Sequence, residues 1–226
     1  MNVLAWYVLP KLLMSEWVQK DMEAVSALDL DAQLMLRVRE GDDDSFRVLL
    51  EKHRNPLVHF LQRMVQDAGA SEELAQEVFL RIYRSRSSYE PSAKFTTWMF
   101  RIASHLALNW LRDERHERAA QRLDGPRLDG ARPGEERSDL PAREIRDHNP
   151  SVEQRLVYET RLQEIRDSIA SLPAKQRAAV LMHKYEEMEY SQIAQALECS
   201  ESAVKSLLFR AYETLRARLA HLVTGA

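Results

Sequence analysis

Near the C-terminus, Glu201, Lys205, Ser206, Phe209 and Arg210 are the residues whose types and spacing could do chemistry. At helical periodicity they share one face, opposite Val204 and Leu208. Residues of these types reach base edges and phosphates in a DNA major groove. The segment before them, Tyr190-Ser191-Gln192-Ile193-Ala194-Gln195-Ala196-Leu197, predicts a short helix with Ile193 and Leu197 inward. Small Ala194 lets two helices approach closely at a steep angle, as a helix-turn-helix requires. Ser200 is placed to cap the second helix. An ordinary helical hairpin with a solvated, charged face has the same spacing, and that reading stays open at this point.

A second constellation lies mid-chain. Arg101, His105, Asn109 and Arg112 recur every three or four residues, with Trp98, Ile102, Leu106 and Leu111 on an inward face. Arg115 and Arg118 extend the basic tendency, and Glu114 and Glu117 dilute it. Exposed aromatics around Tyr89, Phe95, Trp98 and Trp110 could stack on unpaired bases, at about 1–3 kcal/mol per base. Trp98 and Phe100 fit a helical core as well or better. A third constellation is Glu73-Leu74-Ala75-Gln76-Glu77-Val78-Phe79-Leu80-Arg81-Ile82-Tyr83-Arg84. Its outer face carries Gln76, Glu77, Leu80, Arg81 and Arg84, and an apolar Leu80 amid charges suits a protein interface. A solvated helix face would use the same residues.

The elements that position these groups read as helices. Only 6 Gly and 8 Pro occur in 226 residues, too few turn formers for a sandwich, a barrel or a Gly-loop nucleotide enzyme. The single cysteine, Cys199, excludes an internal disulfide framework and a Cys-rich zinc site, and reads as a small buried hydrophobe. The formal charge of −3 advertises no general affinity for nucleic acid, so DNA binding must rest on local faces. No His-Glu-x-x-His, Walker loop, GxGxxG or Gly-flanked Ser nucleophile is present, which argues against an enzyme. No stretch reaches 18 consecutive apolar residues, and a cytoplasmic location is expected. Residues 1–25 read as an N-terminal extension, with Met14 or Met22 as an alternative start.

Half the glycines and half the prolines fall between Asp124 and Pro150, where Arg alternates with Asp and Glu. The expected architecture is therefore all-α: two small helical domains, 26–118 and 151–226, joined by a flexible linker over 119–150. The C-terminal domain is the helix-turn-helix. In the first domain, Asp29 or Asp31 caps a helix that stops at Gly41. Asp43 and Asp44 start a second, which Pro56 interrupts or restarts. Ser71 caps a third, and a long helix spans 96–117. In the second domain Ser151 is a plausible cap. Leu156, Leu162, Ile165, Ile169 and Leu172 face inward, and Pro173 marks a helix start.

Four segments together resemble the extracytoplasmic-function sigma factors, small two-domain subunits of bacterial RNA polymerase. They are Glu73–Arg84; Thr97-Trp98-Met99-Phe100-Arg101-Ile102-Ala103 through Leu111-Arg112; Ser171-Leu172-Pro173-Ala174-Lys175-Gln176-Arg177; and Tyr190–Leu197 with Val204-Lys205-Ser206 through Arg210-Ala211. The resemblance implies that Leu74, Gln76, Glu77, Leu80, Arg81 and Arg84 dock on the clamp helices of the polymerase's largest subunit. It implies that Ser87, Ser88, Tyr89, Lys94, Phe95, Trp98, Arg101, Ser104, His105, Asn109 and Arg112 read and melt the −10 element. Ser200, Glu201, Lys205, Ser206, Phe209 and Arg210 would read the −35 element as duplex. The implied partners are core RNA polymerase, including the flap of its second-largest subunit, promoter DNA and an anti-sigma factor, which could hold the chain near the membrane. No cofactor, metal or small-molecule substrate is implied. A stand-alone helix-turn-helix regulator is the alternative. The sequence departs from the family pattern at His105, where Asn is common, at Ser202-Ala203 in place of Gly-Thr, and at Leu207 in place of a frequent Arg. The turn Glu198-Cys199-Ser200 lacks Gly.

Overall fold

The computed structural model describes residues 29–124 and 152–224, and every regular element among them is helical. The expected N-terminal extension, the Ser151 cap and most of the linker lie outside the described residues. The elements are α1 (Leu30–Arg39), α2 (Asp43–Val65), α3 (Ala68–Arg84), a 3-10 turn (Arg86–Ser88), α4 (Phe95–Asp124), α5 (Val152–Ala170), α6 (Ala174–Lys184), α7 (Tyr190–Ala196) and α8 (Glu201–Thr224).

Short acidic side chains set most helix starts in the first module. Asp29 caps α1 by accepting from the Ala32 N–H at 2.7 Å. Asp31, the other candidate, is buried instead, 2.6 Å from Lys52 Nζ and 2.8 Å from His53 Nε2, and so ties α1 to α2. Helix α2 starts at Asp43 as expected, and Asp42 caps it by accepting from the Asp44 and Ser45 N–H groups. Pro56 does not interrupt α2. A mid-helix proline costs roughly 3 kcal/mol. Leu57, Phe60, Leu61 and Met64 just beyond it are fully buried, at about 1.5–3 kcal/mol each, so burial wins. Asp67, rather than Ser71, caps α3 by accepting from the Ala70 N–H at 2.7 Å. Ser71 sits buried in the first turn, its hydroxyl donating to the Ala68 carbonyl. Gly69 in the first turn is tolerated, since one glycine costs a helix only about 1 kcal/mol.

Helix α4 runs on past the expected end at 117 to Asp124. Ala119, Ala120, Gln121, Arg122 and Leu123 are good helix formers, and no breaker occurs before Gly125. The core of this module joins Leu49, Leu57, Phe60, Met64, Val78, Ile82, Phe95 and Met99. The Phe60 and Phe100 rings meet edge-on at 5.0 Å.

In the second module α6 starts at Pro173 and buries Ala178 through Met182. Helix α8 covers it with Val204, Leu208 and Ala211. Ile169 and Leu172 face inward as expected, but Leu156 is exposed, because the first turns of α5 lack facing partners in the core. The two modules are not separate beads. Helix α2 packs on α6, and α4 packs on both α6 and α7. Their buried apolar side chains form one continuous cluster. Small domains bury too little surface to be more than marginally stable alone, which favours this pooling.

Candidate nucleic-acid interface

Helix α7 buries Ile193, Ala194 and Leu197 against α6 and α8. The N–H of Glu189 donates to Gln192 Oε1 at 2.9 Å and fixes the start of α7. Between α7 and α8 the chain turns through Glu198 at φ 51°, a left-handed conformation usually given to glycine. The Cys199 N–H donates to the Ala194 carbonyl, and the Cys199 side chain is half-buried against the core. Ser200 then caps α8, its Oγ accepting from the Ala203 N–H at 3.2 Å. These bonds hold α8 firmly on α7.

The outward side of α8 presents Glu201, Lys205, Ser206, Phe209 and Arg210, all exposed, with exposed Ser200 at its start. Phe209 is 67% exposed, unusual for a phenylalanine with no packing role in its own fold. Among the described residues, Lys205 and Arg210 form no ion pair that would compete with phosphate. Ser206 donates back to the Ser202 carbonyl at 3.0 Å, leaving its oxygen free to accept. Behind this face, His183 Nδ1 lies 2.8 Å from the Tyr212 hydroxyl. Burial, helped by the Lys184 charge, holds the His183 pKa below its ordinary value. Burial likewise raises the Tyr212 hydroxyl.

The second face lies along α4. Arg101, His105, Asn109 and Arg112 are all exposed on one side, while Met99, Phe100, Ala103 and Ala107 are buried on the other. Ser87, Ser88 and Lys94 are exposed in the preceding loop and Trp98 is half-buried. Three expected contacts need correction. Tyr89 is 4% exposed and Phe95 is fully buried, so neither presents a ring for stacking. Ser104 is buried, with its hydroxyl donating to the Phe100 carbonyl at 2.7 Å. Their rings, and the methylene of Ser104, close the core beneath the loop. Tyr89 packs on Trp98 with ring centroids 5.0 Å apart, and its carbonyl accepts from Arg39. Its hydroxyl has no partner among the described residues, and neither does Thr97 Oγ1. Burial, with the charges of Asp29 and Asp31, pushes the Tyr89 hydroxyl up to about 12.

Two family profiles match the chain at these places: Sigma-70 region 2 over residues 49–117, and Sigma-70, region 4 over residues 162–215. The Myxococcus xanthus RNA polymerase sigma factor CarQ is 32% identical over 188 residues, covering 83% of this chain and 97% of that protein. The chain belongs to the extracytoplasmic-function sigma factors of the sigma-70 family. The RNA polymerase sigma-H factor of Pseudomonas aeruginosa is 29% identical, covering 87% of this chain and 97% of that protein. The Escherichia coli ECF RNA polymerase sigma-E factor is 26% identical, covering 85% and 96%. The fold is also that of CnrH, solved in complex with the cytosolic domain of CnrY. That likeness has a TM-score of 0.60 at 17% identity and covers 85% of this chain and 98% of that one. The Bartonella quintana sigma factor RpoE, solved with the anti-sigma factor NepR, has a TM-score of 0.56 at 17% identity, covering 77% and 96%.

This sigma factor is accordingly a non-enzymatic, alternative subunit of RNA polymerase that recognises promoter elements. Its α1 to α4 module carries region 2, and its α5 to α8 module carries region 4 as a helix-turn-helix. On α3, Gln76, Leu80, Arg81 and Arg84 are exposed, Glu77 is half-buried, and Leu74 is half-buried against the core. Arg81 Nε donates to Glu77 Oε1 at 2.7 Å, an exposed i,i+4 pair that orders the charged rim around Leu80. Leu80 is 46% exposed at the centre of this rim. Among the described residues, no group of three or more His, Cys, Asp or Glu is arranged to hold a metal ion. Among them, too, no helix is long and apolar enough to cross a membrane.

Proposed function

We propose that this sigma factor binds core RNA polymerase and directs initiation by reading a −35 element as duplex and helping to melt a −10 element. The observation that carries this reading is the outward side of α8, where Lys205, Ser206, Phe209 and Arg210 all stand free of the core. Lys205 and Arg210 would neutralise phosphates and Arg210 would also reach base edges, with Ser200, Glu201 and Ser206 hydrogen-bonding beside them. Arg101, His105, Asn109 and Arg112 on α4, with Ser87, Ser88, Lys94 and the half-buried Trp98, would hold the opened strand of the −10 element. Leu74, Gln76, Glu77, Leu80, Arg81 and Arg84 would dock on the clamp helices of the largest polymerase subunit. The region 4 module would rest on the flap of the second-largest subunit.

The physical logic is division of labour. A chain of net charge −3 has too little positive field to hold DNA alone. The polymerase supplies the missing field and fixes the spacing between two weak sites, raising the effective concentration of the second once the first is engaged. Capture of unstacked bases then offsets the cost of opening the duplex. The place of action is the cytoplasm, and an anti-sigma factor is the expected regulator. Support for that partner comes from RpoE of Bartonella quintana, a structural neighbour that was solved bound to one.

Run-off transcription on a genomic-fragment library, with core polymerase and with or without the chain, tests the reading. Discrete new start sites are expected only when the chain is present. Folded protein that yields none would remove the proposal. Specific protection of DNA by the chain without polymerase would favour a stand-alone helix-turn-helix regulator instead.

A further inference from the structure

The loop between α3 and α4, over residues 85–94, is held differently along its length. Its first turn is bonded to the end of α3. Ser88 and Tyr89 donate their N–H groups to the carbonyls of Ser85 and Arg86. Arg86 donates to the Tyr83 carbonyl at 2.9 Å and stacks its guanidinium carbon 4.1 Å from the Tyr83 ring centroid. The far end is sealed by Phe95, fully buried, with its ring 5.3 Å from that of His53 on α2. Between these ends the hold comes from a helix remote in sequence. Arg39, the last residue of α1, donates from Nη1 to the Tyr89 carbonyl at 3.3 Å.

Helix α1 is a firm mount for that side chain, because both of its ends are fixed to α2. At its start the buried Asp31 carboxylate lies 2.6 Å from Lys52 Nζ and 2.8 Å from His53 Nε2. At its end the Asp42 N–H donates back to the Arg37 carbonyl at 3.0 Å, and the chain reverses through Gly41 at φ 100°, a conformation glycine adopts without strain. What Arg39 holds matters, since the Tyr89 ring packs 5.0 Å from that of Trp98, the half-buried aromatic on the α4 side. A shift of the Tyr89 backbone moves the ring that supports Trp98, and with it the adjoining Ser87 and Ser88. Binding groups fit their ligand only as closely as the contacts behind them allow. Residues 30–39 precede the Sigma-70 region 2 match, which begins at residue 49.

We propose that Arg39 is a positioning residue for promoter opening: through the Tyr89 carbonyl it sets the 85–94 loop and the Trp98 ring for capture of the opened −10 strand. This rests on the sigma-factor reading above and deepens it. Arg39 is itself exposed, and an exposed arginine that bound a phosphate would leave a different signature. Loss of a phosphate contact weakens binding evenly across sequences and lowers the salt slope by about 1. Loss of a positioning contact changes the choice among bases and leaves the slope as it was.

The test uses the full chain with core polymerase, on a promoter recovered from the run-off library and on single-base variants of its −10 element. Arg39→Ala should slow opening several-fold and reorder the preference among the base variants, at an unchanged salt slope. In the free chain the bonded amides of Ser88, Tyr89 and Ser92 should exchange several-fold faster. Melting temperature and affinity for core polymerase should stay as in the wild type, because Arg39 is exposed and alanine favours the helix. Arg39→Lys, which returns a cationic donor, should restore much of the amide protection and of the opening rate. Wild-type opening and base preference in Arg39→Ala, or loop amides that exchange no faster, would overturn the proposal. So would an even loss across the base variants with a reduced salt slope, the mark of a phosphate contact. Wild-type holoenzyme that opens no promoter would sink the sigma-factor reading and this one with it, a result the wild-type control tells apart from normal opening by Arg39→Ala.

Discussion

The two proposed nucleic-acid faces of the chain are built in opposite ways. On α8 the proposed readers are all outside: Lys205, Ser206, Phe209 and Arg210 project from a helix seated by Val204, Leu208 and Ala211. On the α4 side the proposed polar and cationic readers are outside and Trp98 is half-buried, while Tyr89 and Phe95 belong to the core beneath the loop. A face that reads intact duplex needs fixed donors at groove spacing, and a capped, well-packed helix supplies them. A face that holds an opened strand needs cations and amides along a helix. Here Tyr89 and Phe95 support the loop from beneath.

The largest effect that should separate the faces is on α8. Lys205→Ala with Arg210→Ala should weaken capture of the upstream element by about 100-fold, at about 1–3 kcal/mol for a base contact plus a lost phosphate contact. On a template already melted at the downstream element, binding of polymerase should persist, whereas on intact duplex it should be lost. Loss on both templates would erase the distinction drawn here. Comparable in kind, Leu80→Asp on α3 should abolish co-purification with core polymerase by at least about tenfold, since a buried unpaired charge costs several kcal/mol. Circular dichroism should be unchanged, because Leu80 is not part of the core. Normal co-purification would remove the α3 interface.

A sharper test of the α4 side is Tyr89→Phe. An unpartnered buried hydroxyl costs about 1–3 kcal/mol, so its removal should raise stability by about 1 kcal/mol and leave promoter opening unaltered. Slower opening would show that the hydroxyl contacts DNA. On the region 4 side, Glu198→Gly should stabilise by about 1 kcal/mol in denaturant unfolding, because the left-handed turn strains any side chain. The smallest effect expected concerns His183. Its folded pKa is depressed by burial, so the unfolded chain binds more protons. That part of stability is complete above the unfolded value of about 6.5 and is lost as pH falls from there through the folded value. His183→Gln should flatten the decline in a series of melts from pH 7.5 to 5.

Much of this was legible because helical periodicity is a strong signal. Val204 with Leu208, and Arg101 with His105, Asn109 and Arg112, sort correctly into buried and exposed faces from spacing alone. Burial of Phe100 was legible from its place on a helix, but that of Tyr89 and Phe95 was not. Tyr89 sits in a polar loop, and only the tertiary arrangement places it against Trp98 and the end of α1. The start of α3 was displaced because Asp67 and Ser71 compete for one cap. The packing of region 2 on region 4 was invisible for a different reason. Arg177 donates across more than a hundred residues to a backbone carbonyl, and a carbonyl leaves no trace in residue type.

The central claim is that neither module grips a promoter unless the polymerase holds both. Footprinting on a promoter recovered from the run-off library measures this directly, with the chain alone, core polymerase alone, and the two together. Protection at both elements is predicted only for the combination. Protection of either element by the chain alone, at concentrations where the combination is saturated, would contradict it.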